Sequence, residues 1–319
     1  MMIHSLDLPP SDAEVDAWLE VLSAAGAADL PQLPAPSRAE VAGRLCVPPV
    51  RGRPVLWVAE HGAGVAALLL LTEKGNTHTA FLDVLTVRPQ ERRRGVGTAL
   101  WERVRGELLA EGRTSVAALV DLGGPGQAFA ESVGFDNVLS MGWYEQELPA
   151  VGPAPVPATP GYEFHTWHGL VPDAWAPAAA AVRGAMEDAP IGDMDERIQV
   201  WTAQRLHALQ QLIIDRGGEV ITVAAVTGAG EVAAYTELVL LDPTGPRALQ
   251  NDTVVGAAHR GHGLGRAVKL RMVAEAARRY PRLRRIATTV ADENTPMRAV
   301  NEALGYRRER DVAIFQLTL

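Results

Sequence analysis

Cysteine is almost absent from this sequence. Among 319 residues there is only Cys46, so no disulfide bond can form within the chain. Proteins without disulfides are typical of reducing compartments, and we therefore expect a cytoplasmic protein. Long apolar runs are also missing, and the N-terminus lacks the basic-then-apolar pattern of a signal peptide. We expect no association with a membrane.

Basic residues are too few for a typical nucleic-acid-binding protein. The sequence has 30 Lys and Arg residues against 38 Asp and Glu residues, which gives a formal net charge of −8. Nucleic-acid phosphates require a basic face, so we expect no nucleic-acid partner, whereas a cationic small molecule is compatible with this charge. Metal ligands are scarce as well, because His259 and His262 have no set of Cys or His partners. We expect no metal.

The most informative stretch that is present runs from Val255 to Gly265. An apolar, β-like run ends in a loop with glycines at alternate positions, and an Ala/Leu/Arg/Lys-rich helical pattern follows at once. Glycines at a strand-to-helix junction let backbone N–H groups approach a ligand closely, and the helix start adds unpaired donors and a partial positive charge. This combination predicts a binding site for a diphosphate.

The same arrangement occurs a second time, between Val87 and Gly97. In both copies a Val lies five positions before an Arg, and that Arg begins the pattern Arg-x-x-Gly-x-Gly. A Gly-Ala-Gly turn also recurs, at 62–64 and 228–230. Matching order and spacing indicate a duplication of about one domain length.

The duplication predicts two domains joined by a linker. We place an N-terminal domain at 1–148, a proline-rich linker at 149–161 and a C-terminal domain at 162–319. Each half has the pattern β-helix-helix-βββ-helix-β-helix-β. The expected fold class is therefore α/β (α+β), with a mixed, mostly antiparallel sheet flanked by helices in each domain.

A strand, a Val and then Arg-x-x-Gly-x-Gly opening a helix resembles the acyl-CoA-binding motif of the GCN5-related N-acetyltransferase (GNAT) superfamily. The doubled motif is similar to tandem members such as actinobacterial small-molecule acetyltransferases, and the resemblance covers nearly the whole chain. It implies that acetyl-CoA, or another acyl-CoA, donates its acyl group directly to a small-molecule amine. Such a protein is compatible with a monomer or a homodimer.

The resemblance implies that acyl-CoA contacts the two glycine loops and the residues next to them. In the second half, the candidate residues are Val255, Ala257, Arg260, Gly261, His262, Gly263, Leu264, Gly265, Arg266, Asn294 and Asn301. In the first half, they are Val87, Arg92, Arg93, Arg94, Gly95, Val96, Gly97 and Thr98. Asn294 matches the family's Asn after the fifth strand, where the first half has Gly123.

Three carboxylates are candidates for the base that removes a proton from the attacking ammonium. Asp83 lies four positions before Val87, and the matching position in the second half is Asn251, with Asp252 beside it. Glu237 lies on the preceding strand among apolar residues, where burial would raise its pKa and suit it to this role. Asp83 is equally compatible with a charged residue at a strand start.

The acid that protonates the leaving thiolate is less clear. The family often uses a Tyr four positions before a Gly-aromatic pair, but that position is Ala130 in the first half and Asn301 in the second. We take Asn301 as a catalytic candidate, with another group, water or an unprotonated thiolate as alternatives.

In the acidic stretch 186–196, Glu187, Asp188 and Asp193 could hold a cationic acceptor, or could simply cap helices and face solvent.

The second half keeps more of the family pattern, so we predict that it is catalytic. The first half either binds acyl-CoA or is a structural partner. Two alternatives remain open, namely a non-catalytic acyl-CoA-binding or interaction protein and a protein N-acetyltransferase. A dinucleotide-binding motif is disfavoured, because no βαβ unit with an acidic strand end follows the glycines.

Overall fold

The computed structural model describes residues 2–148, 158–184 and 191–319. The chain divides into two compact units, which we call the first unit and the second unit. The first unit comprises Met1–Ser140, Ile191–Arg197 and Asp311–Leu319, and the second comprises Met141–Pro190 and Ile198–Arg310. Most of the predicted linker, residues 149–157, lies outside the described residues. No helix in the described residues is long and apolar enough to cross a membrane.

The first half of the chain follows the predicted order of elements. In chain order these are β1 (Ile3–Ser5), α1 (Asp12–Asp29), α2 (Arg38–Cys46), β2 (Gly52–Ala59), β3 (Gly64–Leu71), β4 (Ala80–Val87), α3 (Val96–Ala110), β5 (Ser115–Asp121), α4 (Pro125–Ser132) and β6 (Asp136–Glu147). Helices α1 and α2 each begin with a capping box, in which the N-cap serine and a glutamate three residues later satisfy each other's backbone N–H groups.

The second half repeats that order. Its elements are β7 (Tyr162–His168), α5 (Ala176–Arg183), α6 (Ala203–Asp215), β8 (Glu219–Thr227), β9 (Val232–Leu240), β10 (Arg247–Val255), α7 (Leu264–Arg279), β11 (Arg285–Ala291), α8 (Thr295–Ala303) and β12 (Arg307–Thr318). The predicted fold class, with mixed and mostly antiparallel sheets, is confirmed.

Each unit completes its sheet with a strand from the other half of the sequence. The first unit has the strand order β1-β2-β3-β4-β5-β12, and the second has β6-β11-β10-β9-β8-β7. Within β12, Val312–Thr318 pair with β5, and within β6, Met141–Glu147 pair with β11. The compact units therefore differ from the division at 148 and 162, because the last strand of each half joins the other unit.

Both units carry a β-bulge at the same place in their sheets. In the first unit, the register between β3 and β4 shifts between Ala67 and Leu68, which leaves Asp83 as the extra residue of β4. In the second, Asn251 and Asp252 of β10 together lie opposite Glu237 of β9. A bulge places two residues against one and turns their side chains out of simple alternation. Glu237 thereby acquires two polar neighbours.

Each sheet contains a parallel pair of strands that separates early. In the second unit, β10 pairs with β11 at Arg247–Leu249 and continues to Val255 paired with β9 alone. In the first unit, the β4–β5 register contains the single pair Phe81 and Ala117. A gap between the two strands therefore opens toward the glycine loop in each unit.

Candidate active site

The glycine loop of the second unit joins β10 to α7. Gly261 and Gly263 have φ angles of 82° and 72°, a left-handed conformation that strongly favours glycine. A Cβ atom added at either position would have no heavy atom within 4 Å. At Gly265 an added Cβ would meet only Val255 Cγ2, at 3.6 Å. The loop surface is thus open to a ligand along its length.

The start of α7 supplies donors to that open surface. The N–H of Ala267 bonds to the carbonyl of Gly263 at 3.0 Å, so the N–H groups of Leu264, Gly265 and Arg266 precede this first helical bond. Three N–H donors and the positive end of a helix suit a diphosphate. These donors and the uncrowded glycines of the loop therefore fit the diphosphate of CoA. Asn294 has a local role as well, because its Oδ1 accepts the N–H of Met297 at 3.2 Å and caps α8.

The histidines of this loop have contacts within the protein. His259 Nδ1 lies 3.1 Å from the hydroxyl of Tyr162, and His262 Nδ1 lies 3.2 Å from the carbonyl of His259. Among the described residues, no group of three or more His, Cys, Asp or Glu side chains could hold a metal ion.

The matching loop of the first unit is more closed. Arg92 donates to the Val87 carbonyl at 3.1 Å and makes two hydrogen bonds to Asp29, at 2.6 and 2.7 Å. A Cβ added at Gly97 would lie 3.3 Å from the ring of Phe129. An added Cβ at Gly265 would meet only Val255 Cγ2, at 3.6 Å, so the position of Gly97 is the more crowded of the two. Arg93, Arg94 and Gly95 lie on the loop, and Val96 and Thr98 lie in the first turn of α3.

Glu237 is a buried carboxylate with polar neighbours, on the sheet face that α5 and α6 cover. It is 3% exposed. One oxygen accepts from Gln210 Nε2 of α6 at 3.0 Å, and the other accepts from Asn251 Nδ2 at 3.3 Å. The bulge makes the second contact possible. Two amide donors hold the carboxylate in one orientation, and buried carboxylates are rarely retained without such partners.

Arg183, at the end of α5, completes this cluster. It is 6% exposed, forms an ion pair with Asp252, and lies 3.9 Å from Glu237. Its guanidinium stacks on the ring of Trp201 at 3.7 Å. We call these residues the acidic cluster, formed by Glu237, Asp252, Arg183 and Gln210. Two carboxylates face one cation, so the cluster has a formal charge of −1 when both are ionised.

Comparison with known proteins identifies the family. The model of the Acetyltransferase (GNAT) family matches the chain twice, over residues 29–135 and 187–306. The chain belongs to the GNAT family. A comparison with curated proteins returns no match.

Solved structures confirm the tandem GNAT fold. A tandem GNAT protein from the clavulanic acid biosynthesis pathway is 26% identical, with a TM-score of 0.81 over 99% of this chain and 98% of that one. A GCN5-related N-acetyltransferase from Sphaerobacter thermophilus is 16% identical, with a TM-score of 0.73 over 99% of this chain and 95% of that one. The second similarity shows the fold alone.

Sequence reasoning missed Arg183, although a signal was present. The buried face of α5 contains Ala176, Ala179 and Ala180, and position 183 follows in the same helical spacing. An arginine on an otherwise alanine stripe indicates a buried charge that needs a partner. The partners belong to a different strand, so the sequence alone could not name them.

Two of the predicted acidic residues lie outside the acidic cluster. Asp83 forms an ion pair with Arg44 at 3.0 Å on a partly exposed surface of the first unit. Asp193, a candidate either for holding a cationic acceptor or for a solvated loop, groups with the first unit, where its N–H bonds to the Val138 carbonyl at 3.2 Å. Glu187 and Asp188 lie outside the described residues.

The stretch around Asp193 groups with the first unit for a clear reason. Asp195 accepts a hydrogen bond from Ser115 at 2.6 Å, and Glu196 forms an ion pair with Arg51. Asn76 bonds to both the N–H and the carbonyl of Arg197, at 2.8 and 3.0 Å. These contacts explain why Asp193 does not join the acidic cluster.

Asn301 is fully buried on the opposite face of the second unit's sheet. Its Oδ1 accepts a hydrogen bond from Lys269 Nζ at 2.7 Å, and Lys269 is itself only 1% exposed. Burial lowers the pKa of Lys269 to about 7. The second unit therefore has buried polar groups on both faces of its sheet.

Proposed function

We propose that this protein is an acyl-CoA-dependent N-acetyltransferase that acts on a small-molecule amine, and that the second unit is the catalytic one. Membership of the GNAT family supports acetyl transfer in general. The choice of unit and the kind of acceptor are inferred from the residues that line the two sheets.

One observation carries the choice of unit. The two sheets can be aligned at Val87 and Val255, which pair with Gly64 and Ala234 on the neighbouring strands. In this alignment, Glu237 corresponds to Ala67 and Asp252 corresponds to Val84. In the first unit, Ala67 and Val84 pack in an apolar cluster with helices α1 and α2. At these two positions the first unit therefore has apolar side chains where the second unit has two carboxylates, and Asp83 in the bulge of the first unit is paired with Arg44 at 3.0 Å.

Glu237 is the proposed general base. An ammonium cannot attack a thioester until it loses a proton, and Glu237 has a carboxylate fixed by Gln210 and Asn251 to receive it. Arg183 pairs with Asp252 and thereby limits the repulsion between the two carboxylates. The family resemblance implies that backbone N–H groups near Val255 polarise the carbonyl, and the N–H groups at the start of α7 would hold the diphosphate.

The charge of the acidic cluster favours a cationic acceptor. Its formal charge of −1 attracts an amine in its protonated form, and removal of the proton by Glu237 then leaves a neutral nucleophile. The ring of Trp201, which stacks on Arg183, adds an aromatic surface beside the same charges. A primary amine on a small organic molecule matches these features.

Release of free thiol from acetyl-CoA tests this function. Polyamines, aminoglycosides, amino-acid derivatives and short peptides would be supplied as acceptors to the full-length protein, with Glu237→Gln as the comparison. We expect acceptor-dependent release with at least one small amine, and its loss in the variant. Tight CoA binding with no release from any acceptor would support a binding protein instead. Activity on peptides alone would support a protein N-acetyltransferase.

A further inference from the structure

Part of the connector between α5 and α6 belongs to the first unit. The connector comprises residues 184–202, and its residues 191–197, which we call the docked segment, group with the first unit. In the first half of the chain, the connector between α1 and α2 comprises residues 30–37 and stays within its own unit. The duplicated fold therefore does not require that a connector leave its own half.

Asn76 anchors the C-terminal end of the docked segment. Its side chain is fully buried, with Oδ1 accepting the N–H of Arg197 at 2.8 Å and Nδ2 donating to the Arg197 carbonyl at 3.0 Å. One amide side chain thus satisfies both backbone groups of one residue, which fixes the position and the orientation of that residue. A buried amide with both of its groups used in this way is specific for the segment that it holds.

Asp195 holds the middle of the docked segment. Its carboxylate accepts a hydrogen bond from Ser115 Oγ at 2.6 Å and lies 3.2 Å from His78 Nε2, and its N–H donates to Gln316 Oε1 at 2.8 Å. The bond from Ser115 is charge-assisted, which makes it stronger than a bond between two neutral groups. Residues from three separate parts of the first unit therefore meet at Asp195.

Gly192 allows a close backbone approach at the N-terminal end of the docked segment. Its φ angle is 59°, and a Cβ atom added there would collide with the carbonyl of Val138. Only glycine combines this left-handed conformation with so small a separation from a neighbouring backbone. The docked segment is therefore fitted closely to the first unit from Gly192 to Arg197.

Trp201 follows the docked segment by only four residues. Its ring stacks on the guanidinium of Arg183 at 3.7 Å, in the acidic cluster of the second unit. Between Arg197 and Trp201, the side chains of Ile198 and Val200 are 43% and 75% exposed. They bury too little apolar surface to fix the path of the chain by themselves. The anchor at Arg197 therefore limits where Trp201 can lie.

On the basis of the proposed acetyl transfer by the second unit, we propose that the first unit anchors the acceptor site. Asn76 is the positioning residue: by holding the docked segment, it keeps Trp201 on Arg183. Arg183 in turn pairs with Asp252 and lies 3.9 Å from Glu237, so a displaced Trp201 ring would leave the cation of the acidic cluster less well held. This role of the first unit requires no acyl-CoA in its own glycine loop.

Fluorine NMR of the full-length protein tests this role without an acceptor. The chain has seven tryptophans, so labelling with 5-fluorotryptophan gives seven signals, and Trp201→Phe and Trp57→Phe identify two of them. In Asn76→Ala, we expect the Trp201 signal to shift or broaden. The signal of Trp57, which is buried in the core of the first unit, should stay in place and show that this unit remains folded.

A second variant and a matched control avoid dependence on a buried residue. Asp195 and Glu111 are acidic residues of the first unit with similar exposure, 42% and 40%, and each pairs with a basic side chain. Asp195→Ala should change the Trp201 signal as Asn76→Ala does, whereas Glu111→Ala should leave it unchanged. A Trp201 signal that is unaffected in both Asn76→Ala and Asp195→Ala would overturn the anchoring role.

Steady-state kinetics then test the link to the acceptor. In Asn76→Ala, we expect the acceptor KM to rise about fivefold to tenfold, within the limit of roughly thirty-fold set by two lost hydrogen bonds. The affinity for CoA should change less than about twofold, because the glycine loop is untouched. An unchanged acceptor KM would overturn the link to the acceptor site and leave acetyl transfer standing. No transfer to any acceptor by the wild type, with the Trp201 signal still sensitive to Asn76→Ala, would overturn the proposed function and leave the anchor standing.

Discussion

The two units share one register but differ in what they bury at matching positions. On the face covered by the first two helices, the first unit has Ala67 and Val84 where the second has Glu237 and Asp252. On the other face, an apolar trio of Trp101, Ala130 and Phe135 stands where the second unit has Lys269, Asn301 and Tyr306. The first unit therefore serves as a comparison, because the same sheet is formed there with apolar side chains at these positions. The buried polar groups at these positions of the second unit can be compared with their apolar counterparts in the first unit.

The largest expected effect separates the two glycine loops. Gly263 and Gly95 have φ angles of 72° and 82°, and neither has a heavy atom within 4 Å of an added Cβ, so glutamate strains both loops to a similar degree. We expect Gly263→Glu to lower acetyl transfer by about two orders of magnitude or more, because it crowds a diphosphate and adds like charge. Gly95→Glu should leave turnover largely intact. Equal losses in steady-state assays would contradict the assignment of catalysis to the second unit.

A second pair of variants compares the carboxylates. Glu237→Gln preserves the shape of the side chain but removes its basicity, so the rate should fall by roughly 100- to 10,000-fold. The loss should be greatest below the pKa of the acceptor amine, where deprotonation is needed. Asp83→Asn should have little effect, since Asp83 pairs with Arg44 in the first unit. An unchanged pH–rate profile for Glu237→Gln would remove Glu237 as the base.

Two ion pairs provide a comparison of stability. Arg183→Leu leaves Glu237 and Asp252 without their buried cation, and breaking a buried pair typically costs about 3–5 kcal/mol. Arg44→Leu breaks a pair whose side chains are 50% and 39% exposed, and should change the free energy of unfolding by less than about 1 kcal/mol. Chemical denaturation would measure both values. Similar costs would show that the acidic cluster is not a buried ion pair in solution.

The smallest expected effect concerns Lys269. Its pKa is lowered from 10.5 to about 7 on folding, so between these values the unfolded chain binds the proton more tightly than the folded one. Stability contributed by this group should therefore rise with pH, by about 2 kcal/mol between pH 7 and pH 9. Lys269→Met should be more stable than the wild type at pH 7, and the advantage should shrink by pH 9. A constant difference in the free energy of unfolding across this range would show that Lys269 is not buried in the folded protein.

Local features of the sequence were enough to predict the fold and to propose the two glycine loops as CoA sites. The pattern Arg260-x-x-Gly263-x-Gly265 follows a strand and opens a helix, and each part of that signal lies within a few residues. The grouping of Asp193 with the first unit could not be predicted in this way, because it depends on contacts with residues far away in the sequence. The burial of Lys269 was also not predicted, because α7 is rich in Arg and Lys and only tertiary packing reveals which basic residue faces inward.

The exchange of β6 and β12 has a consequence for biosynthesis. During translation, the first 140 residues emerge with β5 as an uncovered edge, and the strand that covers it begins pairing only at Val312. Exposed sheet edges invite association with other chains. The first unit must therefore wait for the synthesis of β12 before this edge of its sheet is covered. Two polypeptides cut within the linker should need each other to reach their native state.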